Sequence, residues 1–148
     1  MEACRAQYKG IARAMKIGKD GMAGLAAALL EYPNSVMSII DQMRRLEAIK
    51  NIIGELRGIN YTIIKDEAGR DIYRGRVEVN EEETNISAIE LQQALLEGDT
   101  AIVLRNHRKK EGILDIDPRN LGIEQDKEIA KRMRAIIENA AKNVRTKS

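Results

Sequence analysis

The chain has 148 residues, with 25 Lys and Arg against 23 Asp and Glu. That length supports one ordinary domain, or a small domain plus an arm. Phe and Trp are absent and only four tyrosines supply aromatic surface, which argues against base stacking on a sheet and leaves an aliphatic and methionine core. Cys4 is the only cysteine and His107 the only histidine, too few for an internal disulfide or a Cys/His zinc site. No apolar run reaches membrane-spanning length, and the first residues lack a signal-peptide pattern. The resulting expectation is a cytoplasmic protein with neither membrane nor nucleic acid among its partners. Charge is uneven: residues 1–57 carry nine cations against six acids, residues 58–98 four against nine, and residues 99–148 twelve against eight.

In chain order, a short helix over 2–9 is interrupted at Gly10. A basic loop follows, in which Arg13, Lys16 and Lys19 stand three apart with no acid between Glu2 and Asp20. Asp20 is placed to cap a helix carrying Met22, Leu25, Ala26 and Leu29, and Tyr32-Pro33-Asn34 is expected to stop it. Asn34 or Ser35 then opens a long helix whose apolar stripe runs Val36, Ile39, Ile40, Met43, Leu46, Ile49, Ile53 and Leu56, with Gly58 as its C′ residue. At residue 60 the period changes to two. Residues 60–66 and 71–80 read as a hairpin, with Tyr73, Gly75, Val77 and Val79 on one face and Arg74, Arg76 and Glu78 on the other. Glu81-Glu82-Glu83 reads as a solvated loop. Ser87 and Glu90 form a capping box, stapled by Ile86 and Leu91, for a helix ending at Gly98. Residues 100–105 and 112–117 read as two more strands. The last helix spans 125–143, with Ile129, Met133, Ile136 and Ala140 inward.

The order is therefore helix, helix, then β-β-α-β-β-α. It implies an α+β fold, an antiparallel sheet with helices on one face. Two parts are expected: residues 1–57, a basic loop and bridging helices, and residues 58–148, a small C-terminal domain.

Candidate chemistry is anion binding. Arg13 and Lys16 lie one turn apart if their loop is partly helical and can converge on a phosphate or carboxylate; on spacing alone, a solvated basic loop is the commoner outcome. Arg105 closes an apolar run just before a loop, and its guanidinium suits a carboxylate. Asp115 and Asp117 share a face, read as solvated, with Arg119 placed to pair with either. His107 lacks an identifiable orienting partner for catalysis. No Walker loop, dinucleotide-binding glycine pattern or nucleophile elbow occurs, so neither catalytic, cofactor-binding nor metal-binding residues are assigned.

Residues 11–20 with Gly24-Leu-Ala-Ala-Ala-Leu, then Asp66-Glu-Ala-Gly-Arg, Arg76-Val-Glu-Val-Asn80 and residues 100–105 leading to 112–121, occur in an order that resembles the selenocysteine-synthase-like family. Its members are pyridoxal-phosphate enzymes of fold type I. The likeness is greatest to the ammonia-lyase branch, which acts on phosphorylated amino-sugar acids of the D-glucosaminate 6-phosphate kind. The resemblance implies that Arg13 and Lys16 contact anionic substrate groups, with Lys16 standing where an arginine is usual, and that Arg105 binds a substrate carboxylate. It implies elimination of ammonia by the complete enzyme, which would be a homo-oligomer. The family's Schiff-base lysine and phosphate cup lie upstream of the matching segment. The chain is therefore expected to lack the large pyridoxal-phosphate domain, to bind no cofactor covalently alone, and to be inactive alone. The alternative is a free-standing ligand-sensing or dimerisation module using the Val36-to-Leu56 stripe.

Overall fold

A computed structural model describes residues 2–6, 9–10, 17–122 and 124–145. The chain falls into two compact units, residues 1–36 and 37–148. The first contains α1 (Glu2–Ala6) and α2 (Lys19–Ser35), neither with a buried residue. Helix α2 corrects two expectations. Gly18 stands at its N-cap with no side-chain cap, so Asp20 lies inside the first turn. Pro33 does not stop the helix, which runs on to Ser35. Proline costs a helix the hydrogen bond its own nitrogen would donate, and only two helical residues follow Pro33.

The second unit opens with α3 (Ile39–Ile53), four to five residues later than the expected Asn34 or Ser35. Ser38 is its cap: its Oγ accepts the Asp41 amide at 3.0 Å and donates to the Asp41 carboxylate at 2.7 Å. The stripe continues inward as Leu46, Ile49 and Ile53, all fully buried, while Val36, Ile39 and Ile40 stay exposed. Half of the proposed dimerisation stripe, Leu46, Ile49, Ile53 and the flanking Leu56, therefore belongs to this unit's own core. The helix ends at Gly54, not at Gly58. Gly58 is still required by its backbone: its φ is +77°, and a Cβ there would meet Thr84 and Glu83.

The hairpin forms as expected. Strand β1 (Ile59–Lys65) pairs antiparallel with β2 (Tyr73–Val79), Ile59 opposite Val79 and Lys65 opposite Tyr73. Strand β3 (Ile113–Ile116) joins the far side of β2, giving the order β1-β2-β3. Period two then puts Tyr61, Gly75, Val77, Leu114 and Ile116 on one face and Thr62, Arg74, Arg76 and Asp115 on the other. The apolar face carries α3. Gly75 leaves the room that the Tyr61 ring fills, and the Tyr61 hydroxyl donates to the Leu46 carbonyl at 3.1 Å. Burial, with the Glu47 charge adding, pushes this phenol above its ordinary range.

The expected solvated loop at 81–83 is instead a short helix, α4 (Glu81–Thr84), capped by the Asn80 side chain. The Ser87–Glu90 capping box is present on α5 (Ala88–Leu96), and Ile86 and Leu91 are both buried. Helix α6 (Gln125–Arg145) packs on α3 and α5. Its most buried residues are Ile129, Ala130, Met133 and Ile137, with Ile136 and Ala140 at the flank.

The α+β class is observed, but the fourth strand is not. Residues 100–105 contribute only a single bridge, in which Arg105 and Asp115 exchange two backbone hydrogen bonds of 3.0 Å. The physical reason is Gln92 on α5. Its Nε2 donates to the Ile102 carbonyl and its Oε1 accepts the Leu104 amide, both at 3.0 Å. A side chain thus satisfies backbone groups that a ladder would otherwise take.

Candidate functional site

The polar face of the sheet carries the molecule's densest chemistry. Because Arg76 on β2 stands opposite Thr62 on β1 and Asp115 on β3, and Asp115 opposite Arg105, these four residues form one row across the sheet. Directly opposite residues in an antiparallel pair share a face and lie close enough for their side chains to interact. Arg76 binds the Asp115 carboxylate at two points, 2.9 and 3.3 Å. That hydrogen bond raises the Arg76 guanidinium above its ordinary pKa.

Beside this row runs a chain of alternating charge. Asp66 accepts from Arg70 at 2.8 Å and from the buried Arg74 at 2.8 Å; Arg74 reaches Asp117 at 3.3 Å, and Asp117 binds Arg119 at 2.7 Å. Asp115 and Asp117 are therefore not the solvated pair that the sequence suggested. Asp115 is buried in an ion pair, and Arg119 does pair with Asp117. The hydrogen bonds from Arg70 and then Arg74 hold Asp66 well below the usual carboxylate range, against the opposing effect of burial. At Asp117 burial pushes the carboxyl up, but the Arg119 hydrogen bonds and the Arg119 and Arg74 charges outweigh it and leave it lowered. The buried pairs Arg74–Asp66 and Arg76–Asp115 add little net stability, because desolvation offsets attraction. Their clearer effect is to fix guanidinium positions.

Arg105 stands at the open end of the row. It is exposed, and its guanidinium has no acid or hydrogen-bond partner among the described residues. With His107, Arg74, Arg76 and Asp115 it lines a cavity of about 80 Å³. That is room for a carboxylate-sized group, since water takes roughly 30 Å³ in the liquid. Lys65 lines the same cavity, but its ammonium binds Asp71 at 2.9 Å, and that hydrogen bond raises its pKa. An amine that must deprotonate to attack needs the opposite shift. Arg13 and Lys16 lie outside the described residues. A larger groove of about 420 Å³, lined by Leu56, Arg57, Glu83 and Ile137, offers no comparable cation, because Arg57 faces Glu83 at 3.5 Å. Among the described residues no three His, Cys, Asp or Glu side chains converge to hold a metal, and no single helix is long and apolar enough to cross a membrane.

Sequence reasoning singled out Arg105 as a candidate but gave no role to Arg74, Arg76 or Asp66, which line the same cavity. The alternation of Arg74 and Arg76 along β2 was visible; what pairs Arg76 with Asp115, and Arg74 with Asp66 and Asp117, is strand register, which no local signal fixes.

The described residues thus place, on an α+β unit, a sheet face whose arginines are held by acids beside the exposed Arg105 guanidinium, an arrangement that can bind a small anion. The chain is 38% identical over 139 residues to D-glucosaminate-6-phosphate ammonia lyase of Salmonella typhimurium (strain 14028s / SGSC 2262), which covers 94% of this chain and 37% of that protein. It is 31% identical over 137 residues to 5'-C-glycyluridine monooxygenase-decarboxylase of a Streptomyces species, covering 91% and 34%. The solved structure of a D-glucosaminate-6-phosphate ammonia-lyase superposes with a TM-score of 0.67 at 38% identity, over 94% of this chain and 37% of that one. No protein-family model matches the chain. The chain is thus a relative of D-glucosaminate-6-phosphate ammonia lyase along nearly its whole length, in sequence and in fold. It spans little more than a third of the length of the curated relatives it matches.

Proposed function

We propose that this chain is the substrate-anion-binding portion of a pyridoxal-phosphate-dependent ammonia-lyase acting on a phosphorylated amino-sugar acid. Arg105 receives the substrate carboxylate, and Arg13 and Lys16 receive a second anionic group, the phosphate. The observation that carries the reading is Arg105 itself: an exposed, uncompensated guanidinium beside a face where the neighbouring arginines are held by acids.

In this reading the cofactor's lysine is not on this chain. Lys65, the lysine that lines the cleft, is held protonated by Asp71. When bound, that cofactor supplies an electron sink that stabilises a carbanion; in this reading it is held by a larger domain, against which the helices and basic loop of residues 1–57 pack. Residues 58–148 then serve as the small domain, together with α3, whose Leu46, Ile49 and Ile53 are buried in that core, and the complete enzyme is a homo-oligomer. What this chain contributes is binding and orientation. A carboxylate fixed by Arg105 sets which face of the adjacent carbon meets the catalytic base, and fixed orientation lowers the entropic barrier to reaction. Two relatives with names for different reactions share this stretch, which supports a binding role for it over a reaction-deciding one.

Borohydride reduction in the presence of pyridoxal phosphate tests the reading. The 148-residue chain alone should gain no stoichiometric covalent adduct, and the complete enzyme should gain one per chain and release ammonia from D-glucosaminate 6-phosphate. A defined adduct on the isolated chain, or no ammonia from the complete enzyme, would overturn it.

A further inference from the structure

Three aspartates on the polar face of the sheet each stand next to two arginines. Asp66 binds both Arg70 and Arg74, and Asp117 binds both Arg74 and Arg119. Asp115 breaks the pattern. It lies in the row between Arg76 and Arg105, directly opposite each of them, yet its carboxylate binds Arg76 alone. The difference is not one of burial, since the Asp115 and Asp66 side chains are 5% and 7% exposed.

The geometry points to Arg76 as a positioning residue: by engaging both oxygens of Asp115, it keeps the Arg105 guanidinium free to receive an anion from solvent. The inference rests on the reading of Arg105 as an anion receptor and adds what makes it one. The chemistry behind it is competition for a counter-ion. A buried carboxylate left unpaired is costly, so it takes whatever cation faces it. Arg74 is already shared by Asp66 and Asp117, and Lys65 is held by Asp71. Arg108 is held by Glu111 at 2.6 Å, so if Arg76 lets go, the cation opposite Asp115 with no other commitment among the described residues is Arg105. The backbone bridge between the two already sets them side by side, and two N–H to O bonds of 3.0 Å hold that register. Arg105 would then be drawn into the sheet and its site closed by an internal acid. The two-point grip matters because a planar guanidinium fork matches a carboxylate at both oxygens, which lysine cannot do.

The arginine Nε–H resonances of the ¹⁵N-labelled 148-residue chain test this, with acetate as the carboxylate probe at constant ionic strength. In the unmodified chain the Arg105 resonance, assigned by its loss in Arg105→Lys, should exchange freely with solvent and shift on adding acetate. In Arg76→Gln it should become protected, and the acetate response should weaken at least tenfold. In Arg76→Gln with Asp115→Asn the captor is gone, so free exchange and the acetate response should both return. That rescue separates positioning from a merely structural role, because the double variant restores no contact that Arg76 made. Should Arg76→Gln fail to fold, Arg76→Lys keeps the charge without the fork, and should still show partial protection at Arg105. Arg105 left freely exchanging and acetate-responsive in Arg76→Gln, or in Arg76→Lys if that variant is the one that folds, overturns the proposal. If acetate shifts Arg105 in no variant, the receptor reading of Arg105 fails; protection that appears in Arg76→Gln and vanishes in the double variant would still support counter-ion capture.

Discussion

Asp66 shows how single residues set the character of this face. Its carboxyl is held below its ordinary pKa of 3.8 by Arg70 and Arg74, and Asp117 is likewise lowered. In the folded chain both release their protons more readily than in the unfolded one, so acid protonates the unfolded chain first. Their contribution to stability is complete above the ordinary carboxylate range, about pH 4, and is lost as pH falls through the lower folded values. Asp66→Asn should therefore flatten the acid side of a melting-temperature profile and leave its neutral side parallel to that of the unmodified chain. An acid limb as steep as before would contradict the assignment. Residue identity alone carried part of this: Arg105 stood out as a candidate because it ends an apolar run beside a loop. Arg74 and Arg76 did not, because an arginine on the polar parity of a strand reads the same in water as in a buried pair.

At the scale of elements, period and capping chemistry were legible and pairing was not. The hairpin and the Ser87–Glu90 box follow from local pattern and are present, and the inward stripes are met in part: Leu46, Ile49 and Ile53 on α3 and Ile129 and Met133 on α6 are buried, while Val36, Ile39 and Ile40 are exposed. Helix limits were less so: Ser38 won the cap of α3 from Asn34 and Ser35, and α2 absorbed Pro33 near its end. The fourth strand failed for a reason no period reveals, since Gln92 lies on another element and answers Ile102 and Leu104 with its amide. Gln92→Leu keeps the bulk but leaves a buried amide and carbonyl unpaired. It should cost at least about 2 kcal/mol, at roughly 1–3 kcal/mol for each buried polar group left unsatisfied. Chemical denaturation measures the loss, and hydrogen exchange should quicken at Leu104 before the rest of the sheet. A change within a few tenths of a kcal/mol would mean that the extended segment is held by something other than that amide.

At the scale of the whole molecule, a compact unit of residues 37–148 presents an apolar sheet face to its own helices and a charged face outward. The relatives are more than twice as long as this chain, and the two curated ones carry names for different reactions. The proposed function joins these facts as a division of labour: reaction chemistry on a larger domain and substrate anions on this one, with Arg105 proposed as the principal anion receptor. Steady-state kinetics of the complete enzyme carrying Arg105→Ala test that claim most directly. The account predicts a KM for D-glucosaminate 6-phosphate raised at least tenfold, as expected when a charge-assisted contact of about 1.5–3 kcal/mol is lost, with the cofactor's absorbance unchanged. Kinetics equal to those of the unmodified enzyme would contradict it.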